Sequence, residues 1–204
     1  MYNKVYVEIT NICNMSCSFC HGHKREPRQM SSEEFTLILE KLKEHTKYIY
    51  YHLMGEPLTH PLLPEFVKLA GENGYKSIIT TNGTLLKKCG DELLNAGIHK
   101  INISLHSFEN GDYESHSNYI KNIAEFSKKA ADRGVIVVLR LWNRGVDGGK
   151  NDVSLKLLKE NISGDWVDNS RGIKISDKIF LEWGERFQWP DKDAEIKGNK
   201  YFCY

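Results

Sequence analysis

Residues 4–20 read KVYVEITNICNMSCSFC. Lys4–Thr10 alternates apolar and polar positions, the two-residue period of a strand. Cys13, Cys17 and Cys20 follow directly, spaced C-x3-C-x2-C. Three thiolates on one loop can hold three corners of a cubane iron–sulfur cluster, whose full protein set is four. The remaining iron is then open to a small molecule able to take an electron. A strand that runs into a ligand-bearing loop is also the opening unit of an α/β fold, in which functional groups collect at the carboxyl ends of parallel strands.

The rest of the composition narrows the class. With 204 residues the chain is long enough for one domain with a substantial core and too short to argue for two. Lys and Arg number 28 against 27 Asp and Glu, a net charge of +1, so no general nucleic-acid binder is indicated. No apolar run approaches the ~20 residues of a membrane span. The first residues lack the apolar stretch of a secretory signal, which makes the cytoplasm the expected compartment. Five cysteines is an odd count, with Cys89 and Cys203 far from the other three. A disulfide scaffold would spread its cysteines; a crowded set in a reducing compartment reads as metal-binding. Thiolates favour zinc, copper(I) or iron–sulfur clusters.

Strand-like runs alternate with helical patterns along the chain. The expected strands are Lys4–Thr10, Tyr48–Met54, Lys76–Thr81, Lys100–Leu105, Val135–Trp142 and Lys178–Trp183. The first helix carries a capping box, Ser31 with Glu34, and a staple pair, Met30 with Phe35. Phe35, Ile38, Leu39 and Leu42 continue it at helical spacing. Leu63, Phe66, Val67 and Ala70 mark a second helix, ended by Gly71 and Gly74. Three more are expected at about Leu86–Asn95, Glu114–Arg133 and Asp152–Asn161, the last one weaker, after a flexible connection at Gly145–Asn151. Repeated strand–helix alternation implies parallel strands joined by right-handed crossovers. Six strands are too few for a full eight-stranded barrel, so the expected fold is an α/β partial (β/α)6 TIM-like barrel with parallel strands. Residues 1–190 form the expected core domain, and 191–204 a polar tail.

Polar residues gather where these strands end. After the cysteine loop come Met54-Gly55-Glu56-Pro57, then Thr80-Thr81-Asn82-Gly83, then Asn102, Ser104 and His106, then Arg140 and Asn143. Five segments therefore point to one mouth. Each has a plainer reading. The cysteines with His21 or His23 can hold zinc, although no second ligand pair at zinc-finger spacing is present. Gly55-Glu56-Pro57 and Asn82-Gly83 are turn signals in their own right. Ser104 can be an ordinary strand residue, and Arg140 one half of a surface ion pair.

With these residues in view, the chain resembles the radical S-adenosylmethionine (SAM) enzymes. Cys13, Cys17 and Cys20 match that family's C-x3-C-x-aromatic-C motif, with Phe19 as the aromatic. Met54-Gly55-Glu56-Pro57 resembles its Gly-Gly-Glu-Pro motif, with Met54 replacing the first glycine. The resemblance spans about Lys4 to Trp183. It implies that Cys13, Cys17 and Cys20 hold a [4Fe–4S] cluster and that the S-adenosylmethionine amine and carboxylate chelate the open iron. It places Gly55, Glu56 and Pro57 against the amine. Ser104 and Asn82 would bind ribose hydroxyls or the carboxylate, Arg140 the carboxylate, and Asn143 the adenine. Phe19, Leu105 and Trp142 would supply an apolar wall. An electron donor such as flavodoxin or ferredoxin is implied as a partner.

A narrower resemblance lies in Ile179–Pro190, which looks like the linker of members with a C-terminal SPASM domain; Tyr201-Phe202-Cys203-Tyr204 resembles that domain's opening. Members of this group often modify peptides, so a peptide or protein is the expected substrate. The chain stops at Tyr204, and one cysteine does not hold an auxiliary cluster. A truncated non-catalytic protein that binds cluster and S-adenosylmethionine is the alternative. A structural zinc protein is the other. Cys89, in a helical stretch, is expected to be a small buried residue or an idle thiol, and Trp183, Phe187 and Trp189 a cover for the barrel's open bottom or edge.

Overall fold

The computed structural model describes residues 2–22, 24–108, 111–170 and 172–186. In it, strand–helix alternation becomes a curved, open sheet. Strands β1 (Val5–Tyr6), β2 (Tyr48–Tyr50), β3 (Lys76–Thr81), β4 (Lys100–Ser104) and β5 (Ile136–Arg144) pair in sequence order, all parallel. Helices α1 (Ser32–Leu42), α2 (Leu63–Glu72), α3 (Leu86–Asn95) and α4 (Tyr113–Asp132) make the four crossovers. After α5 (Lys150–Asn161) come β6 (Val167–Asn169), β7 (Gly172–Lys174) and β8 (Ile179–Glu185). Strand β8 is the sixth parallel strand, paired with β5. The β6–β7 hairpin extends the sheet antiparallel beyond it.

All six expected strands are present, with β1 and β2 shorter than expected, at Val5–Tyr6 and Tyr48–Tyr50. The hairpin was not foreseen. Val167–Asn169 is exposed throughout and shows no alternation, so nothing local marks it. It exists because β7 pairs with β8. Gly172 permits that pairing, since a Cβ there would collide with the Leu181 carbonyl. The Gly145–Asn151 connection is shorter than expected. Helix α5 begins at Lys150, and Asp147 engages its first turn by accepting from Asn151 N–H at 3.2 Å.

The helices form because each buries an apolar stripe against one face of the sheet. Ser31 and Glu34 cap α1 reciprocally, at 3.2 and 3.0 Å. Phe35 and Leu39 then enter the core, with Met30 packed at its edge. Along each strand one residue set faces the helices and is almost wholly buried: Val7, Ile9, Ile49, Tyr51, Ile79, Ile101, Ile103, Val137, Leu139 and Leu181. Burial of each such side chain is worth roughly 1.5–3 kcal/mol. The alternate set faces inward and is mostly half-exposed, among it Tyr50, His52, Ser104, Arg140 and Phe180. The sheet is therefore helix-covered outside and open inside, and every parallel strand points its carboxyl end at one rim.

Candidate active site

Two clamps fix the cysteine loop at that rim. At its root Asn11 is buried; its Nδ2 donates to the Glu26 carbonyl at 2.8 Å and its Oδ1 accepts from Arg28 N–H at 2.7 Å. Thr10 Oγ1 donates to the Arg28 carbonyl at 3.2 Å, and Met30 N–H to the Ile9 carbonyl at 2.8 Å. Residues 9–11 thus lie beside residues 26–30, so that Cys13–Cys20 stands out as a closed loop.

The second clamp comes from the turn after β2. Gly55 has φ +78°, and a Cβ on it would stand 2.6 Å from the Thr10 carbonyl oxygen and 2.8 Å from the Asn11 carbonyl carbon. Only glycine permits this approach of one backbone to another. The next residue, Glu56, donates its N–H to the Ile12 carbonyl at 2.8 Å. Its side chain is 2% exposed and points inward. One carboxylate oxygen accepts from Leu58 N–H at 3.0 Å, the other from Asn82 N–H at 2.7 Å. Burial pushes the Glu56 carboxyl above its ordinary pKa, while the Asn82 and Leu58 amides and the Thr81 hydroxyl pull it back. Pro57 is buried as the first residue of a short 3-10 turn, Pro57–Thr59.

Asn82 continues the same framework. Its Nδ2 donates to Asn14 Oδ1 at 3.0 Å, and its Oδ1 accepts from Thr84 N–H at 3.0 Å and Thr84 Oγ1 at 2.6 Å. Asn14 Nδ2 donates to Thr84 Oγ1 at 2.9 Å, closing the triangle. Tyr119 on α4 donates to the Asn82 carbonyl at 2.8 Å. Asn14 adjoins Cys13, so Asn82 reaches the cysteine loop rather than open space. Asn11, Asn14 and Thr84 were missed in the sequence. Their signal was weak: Asn and Thr at strand ends commonly bond their own backbone.

Cys13 and Cys20 are exposed and Cys17 is half-buried. The Cys17 thiol donates to the Ser107 carbonyl at 3.7 Å, and Cys20 N–H to the Cys17 carbonyl at 3.0 Å. Burial raises the Cys13 pKa, and the nearby Glu56 carboxylate and Cys20 sulfur add to it. Among the described residues no three His, Cys, Asp or Glu side chains converge on one ion position. A single zinc gathers its ligands within about 2.3 Å of one point. A cluster spreads them over separate irons. Three thiolates on one short loop are the donor set of a three-cysteine iron–sulfur site, each sulfur binding its own iron.

Across the rim lie the remaining expected residues. Ser104 ends β4 half-exposed, in register with Arg140. The Arg140 guanidinium stacks over the Trp142 ring, 4.4 Å from its centroid, with Nε 3.4 Å from Glu182 Oε2 but not aligned to hydrogen-bond it. Burial lowers the Arg140 pKa, and Glu182 opposes that. Asn143 is 8% exposed, and its buried Oδ1 has no hydrogen-bond partner among the described residues. It lines a small cavity of mixed character, apolar at Leu105, Phe108 and Leu141 and polar at His116, Asp147 and Lys150. His106 Nδ1 lies 3.1 Å from the Arg140 carbonyl oxygen, and its ring meets Phe19 at 5.1 Å, a structural placement. Cys89 is half-buried on α3 against the core. Trp183 packs partly into the core, whereas Phe187, Trp189 and Cys203 lie outside the described residues.

Comparison with known proteins accords with this geometry. Residues 7–146 match the family model described as the radical SAM superfamily. A probable GTP 3′,8-cyclase of Sulfolobus acidocaldarius is 34% identical over 106 residues, 50% of this chain and 34% of that one. One from Saccharolobus islandicus is 30% identical over 137 residues, 65% of this chain and 44% of that one. The chain thus spans between a third and a half of the length of these curated relatives. Among solved structures, BtrN in complex with AdoMet and 2-DOIA has a TM-score of 0.53 at 24% identity, covering 68% of this chain and 57% of that one. Streptococcus suis SuiB bound to S-adenosylmethionine has a TM-score of 0.58 at 19% identity, covering 78% and 38%. Both likenesses concern the fold.

Proposed function

The chain belongs to the radical SAM superfamily, and from that membership we propose that its rim is a site for reductive cleavage of S-adenosylmethionine, with Cys13, Cys17 and Cys20 holding a [4Fe–4S] cluster. When bound, that cluster supplies the electron that breaks a carbon–sulfur bond of the sulfonium and yields a 5′-deoxyadenosyl radical able to remove a hydrogen atom from a substrate. The chain's own residues position and shield. Asn11 and the Gly55–Glu56 turn fix the loop. The partly buried edge at Met54–Gly55 offers carbonyls to the methionyl amine. Ser104 and Arg140, side by side in register, suit the ribose hydroxyls and the carboxylate. The Asn143 Oδ1, without a hydrogen-bond partner among the described residues and in a cavity of mixed polar and apolar lining, suits the exocyclic amine of adenine. Glu56 and Asn82 act by holding the rim together.

The observation that carries this reading is the three-thiol loop, clamped by the turns after β2 and β3 at the carboxyl ends of parallel strands. A flavodoxin- or ferredoxin-type donor would supply the electron. The peptide substrate has weaker support. It draws on Ile179–Pro190 and Cys203, of which residues 187–190 and Cys203 lie outside the described residues, and the curated relatives bear the name of an enzyme acting on GTP.

The test is anaerobic reconstitution with iron and sulfide, followed by dithionite and S-adenosylmethionine. The expected product is 5′-deoxyadenosine. A complete cluster that binds S-adenosylmethionine and never yields it would make the chain a binding protein. Zinc without sulfide would make it a structural metal protein.

A further inference from the structure

The cysteine loop has an inner and an outer side. Cys17 turns toward the chain after β4, its thiol on the Ser107 carbonyl. Cys13 and Cys20 stay exposed, as do Asn14, Ser16 and Ser18 between them. Two exposed segments border this outer side. Asn11, through the Glu26 carbonyl and Arg28 N–H, brings residues 24–29 alongside the loop's root. On the other flank Asn14 Nδ2 donates to Thr84 Oγ1 at 2.9 Å, and α3 starts two residues later, at Leu86.

Both segments are cationic. The first reads Lys24-Arg25-Glu26-Pro27-Arg28-Gln29 and is exposed throughout. Its one acid, Glu26, stands against three bases. Arg25 is paired with Glu8 and Arg28 with Glu34. The second segment is the first turn of α3. There Lys87 and Lys88 are exposed, no acid is present and no side chain caps the helix. The amino end of a helix carries partial positive charge, so acids are favoured there and lysines oppose it. Asp91, one turn beyond Lys87, is engaged by Lys129. Lys24, Lys87 and Lys88 have no carboxylate within ion-pair distance among the described residues. Lysines that oppose their own helix dipole are relieved by a partner that brings negative charge.

We propose that the outer side of the cysteine loop, between Lys24 and the Lys87–Lys88 pair, is the docking surface for an acidic one-electron carrier protein. The inference rests on the reading of the rim as a cluster site, which needs an electron from outside the chain. One electron crosses: the carrier's reduced centre is oxidised by one, the cluster is reduced by one, and no bond forms between the proteins. Position decides the occupant. Ser104 and Arg140 lie across the rim, so this side adjoins the thiols and not the other expected cofactor contacts. Interfaces of electron carriers are small, under about 1,200 Å², and transient. A few lysines around the exposed Ile12 suit such an interface. Charge then governs the rate of encounter more than the strength of the complex. A nucleic-acid strand fits less well, since residues 24–29 and 84–88 hold no Phe, Tyr or Trp on which a base could stack.

The test follows, by stopped flow, the reduction of the reconstituted cluster by a reduced acidic flavodoxin. The rate should fall as salt is raised. In the triple variant Lys24→Glu, Lys87→Glu, Lys88→Glu it should fall about tenfold or more. Dithionite, which needs no docking, should bring wild type and variant to the same extent of reduction. A control of equal charge, Lys121→Glu, Lys128→Glu, Lys156→Glu on α4 and α5, should keep the wild-type rate. Fluorescence anisotropy of the oxidised flavin measures binding without turnover and should weaken in step with the rate. Glutamates in the first turn of α3 favour the helix, and urea midpoints establish that the variants fold. A triple variant reduced at the wild-type rate, a control slowed as much as the triple variant, a rate indifferent to salt, or tighter binding of a single-stranded DNA dodecamer than of flavodoxin overturns the proposal. Formation of 5′-deoxyadenosine with dithionite is measured in parallel. Carrier docking that depends on the three lysines, without cleavage, supports the surface and refutes the reading of the rim. Cleavage without that dependence does the reverse.

Discussion

The Glu56 carboxylate accepts the Asn82 backbone N–H at 2.7 Å, from a side chain that is 2% exposed. Through this bond the turn after β2 holds the end of β3, and through Asn82 it reaches the cysteine loop. Removing the carboxylate strands two buried donors, Asn82 N–H and Leu58 N–H. Each costs about 1–3 kcal/mol when unsatisfied. Glu56→Ala should therefore lower urea-unfolding stability by about 3 kcal/mol and reduce cluster yield and S-adenosylmethionine affinity together. Loss of affinity at full stability and full cluster content would instead make Glu56 a direct contact.

Asn82 tests the division between holding and binding. Asn82→Ala removes the bridge to Asn14 and Thr84 while leaving its backbone bonds in place. The cluster should then bleach several-fold faster under a chelator, with little change in S-adenosylmethionine affinity per intact cluster. A fall in affinity with unchanged bleaching would return Asn82 to the ribose-binding role its position in the sequence suggested.

Gly55→Ala places a Cβ 2.6 Å from the Thr10 carbonyl oxygen at a φ of +78°. Backbone strain of this kind costs about 1–3 kcal/mol before the collision is added. The two turns should separate, with a melting temperature lower by several degrees and loss of 5′-deoxyadenosine formation. A variant of wild-type stability and activity would show that the close approach carries no weight.

Cys17→Ala should abolish the visible absorbance of the reconstituted cluster, because two thiolates on this loop do not retain a cubane. Cys89→Ala should leave that absorbance intact, since its sulfur packs against the core on α3. A full spectrum from the first variant would refute the ligand assignment.

His52 is packed edge-on to Tyr6, at 5.4 Å, and to Tyr50, at 5.9 Å. Burial lowers its pKa to about 3 from 6.5, helped by the positive charges of Arg140 and Lys4. The native imidazole stays neutral while the unfolded one takes a proton. Its contribution to stability is thus complete above about pH 6.5 and is lost as pH falls toward about 3. At pH 5 the loss is about 2 kcal/mol. His52→Asn should flatten the acid limb of the stability curve between pH 6.5 and 4. An unchanged slope would mean that the ring is solvated.

Sequence by itself determined most of the architecture. Six alternating runs became six parallel strands, and Ser31 with Glu34 capped α1, because the two-residue and 3.6-residue periods are local properties that burial of one face then selects. The cysteine spacing was equally legible, because three ligands on one short loop need no distant partner to be recognised. What only the tertiary structure decided was where side chains from different strands meet. Glu56 and Asn82 stood out as site residues, yet their work as braces follows from an inward rotation that no spacing reveals. Asn11, Asn14 and Thr84 read as ordinary turn residues until the loop closed on them. The β6–β7 hairpin had no local signal and formed because β8 offered it an edge. Local periodicity survives in the chain's own order, whereas convergence is created by pairing between segments, and pairing is a property of the folded sheet.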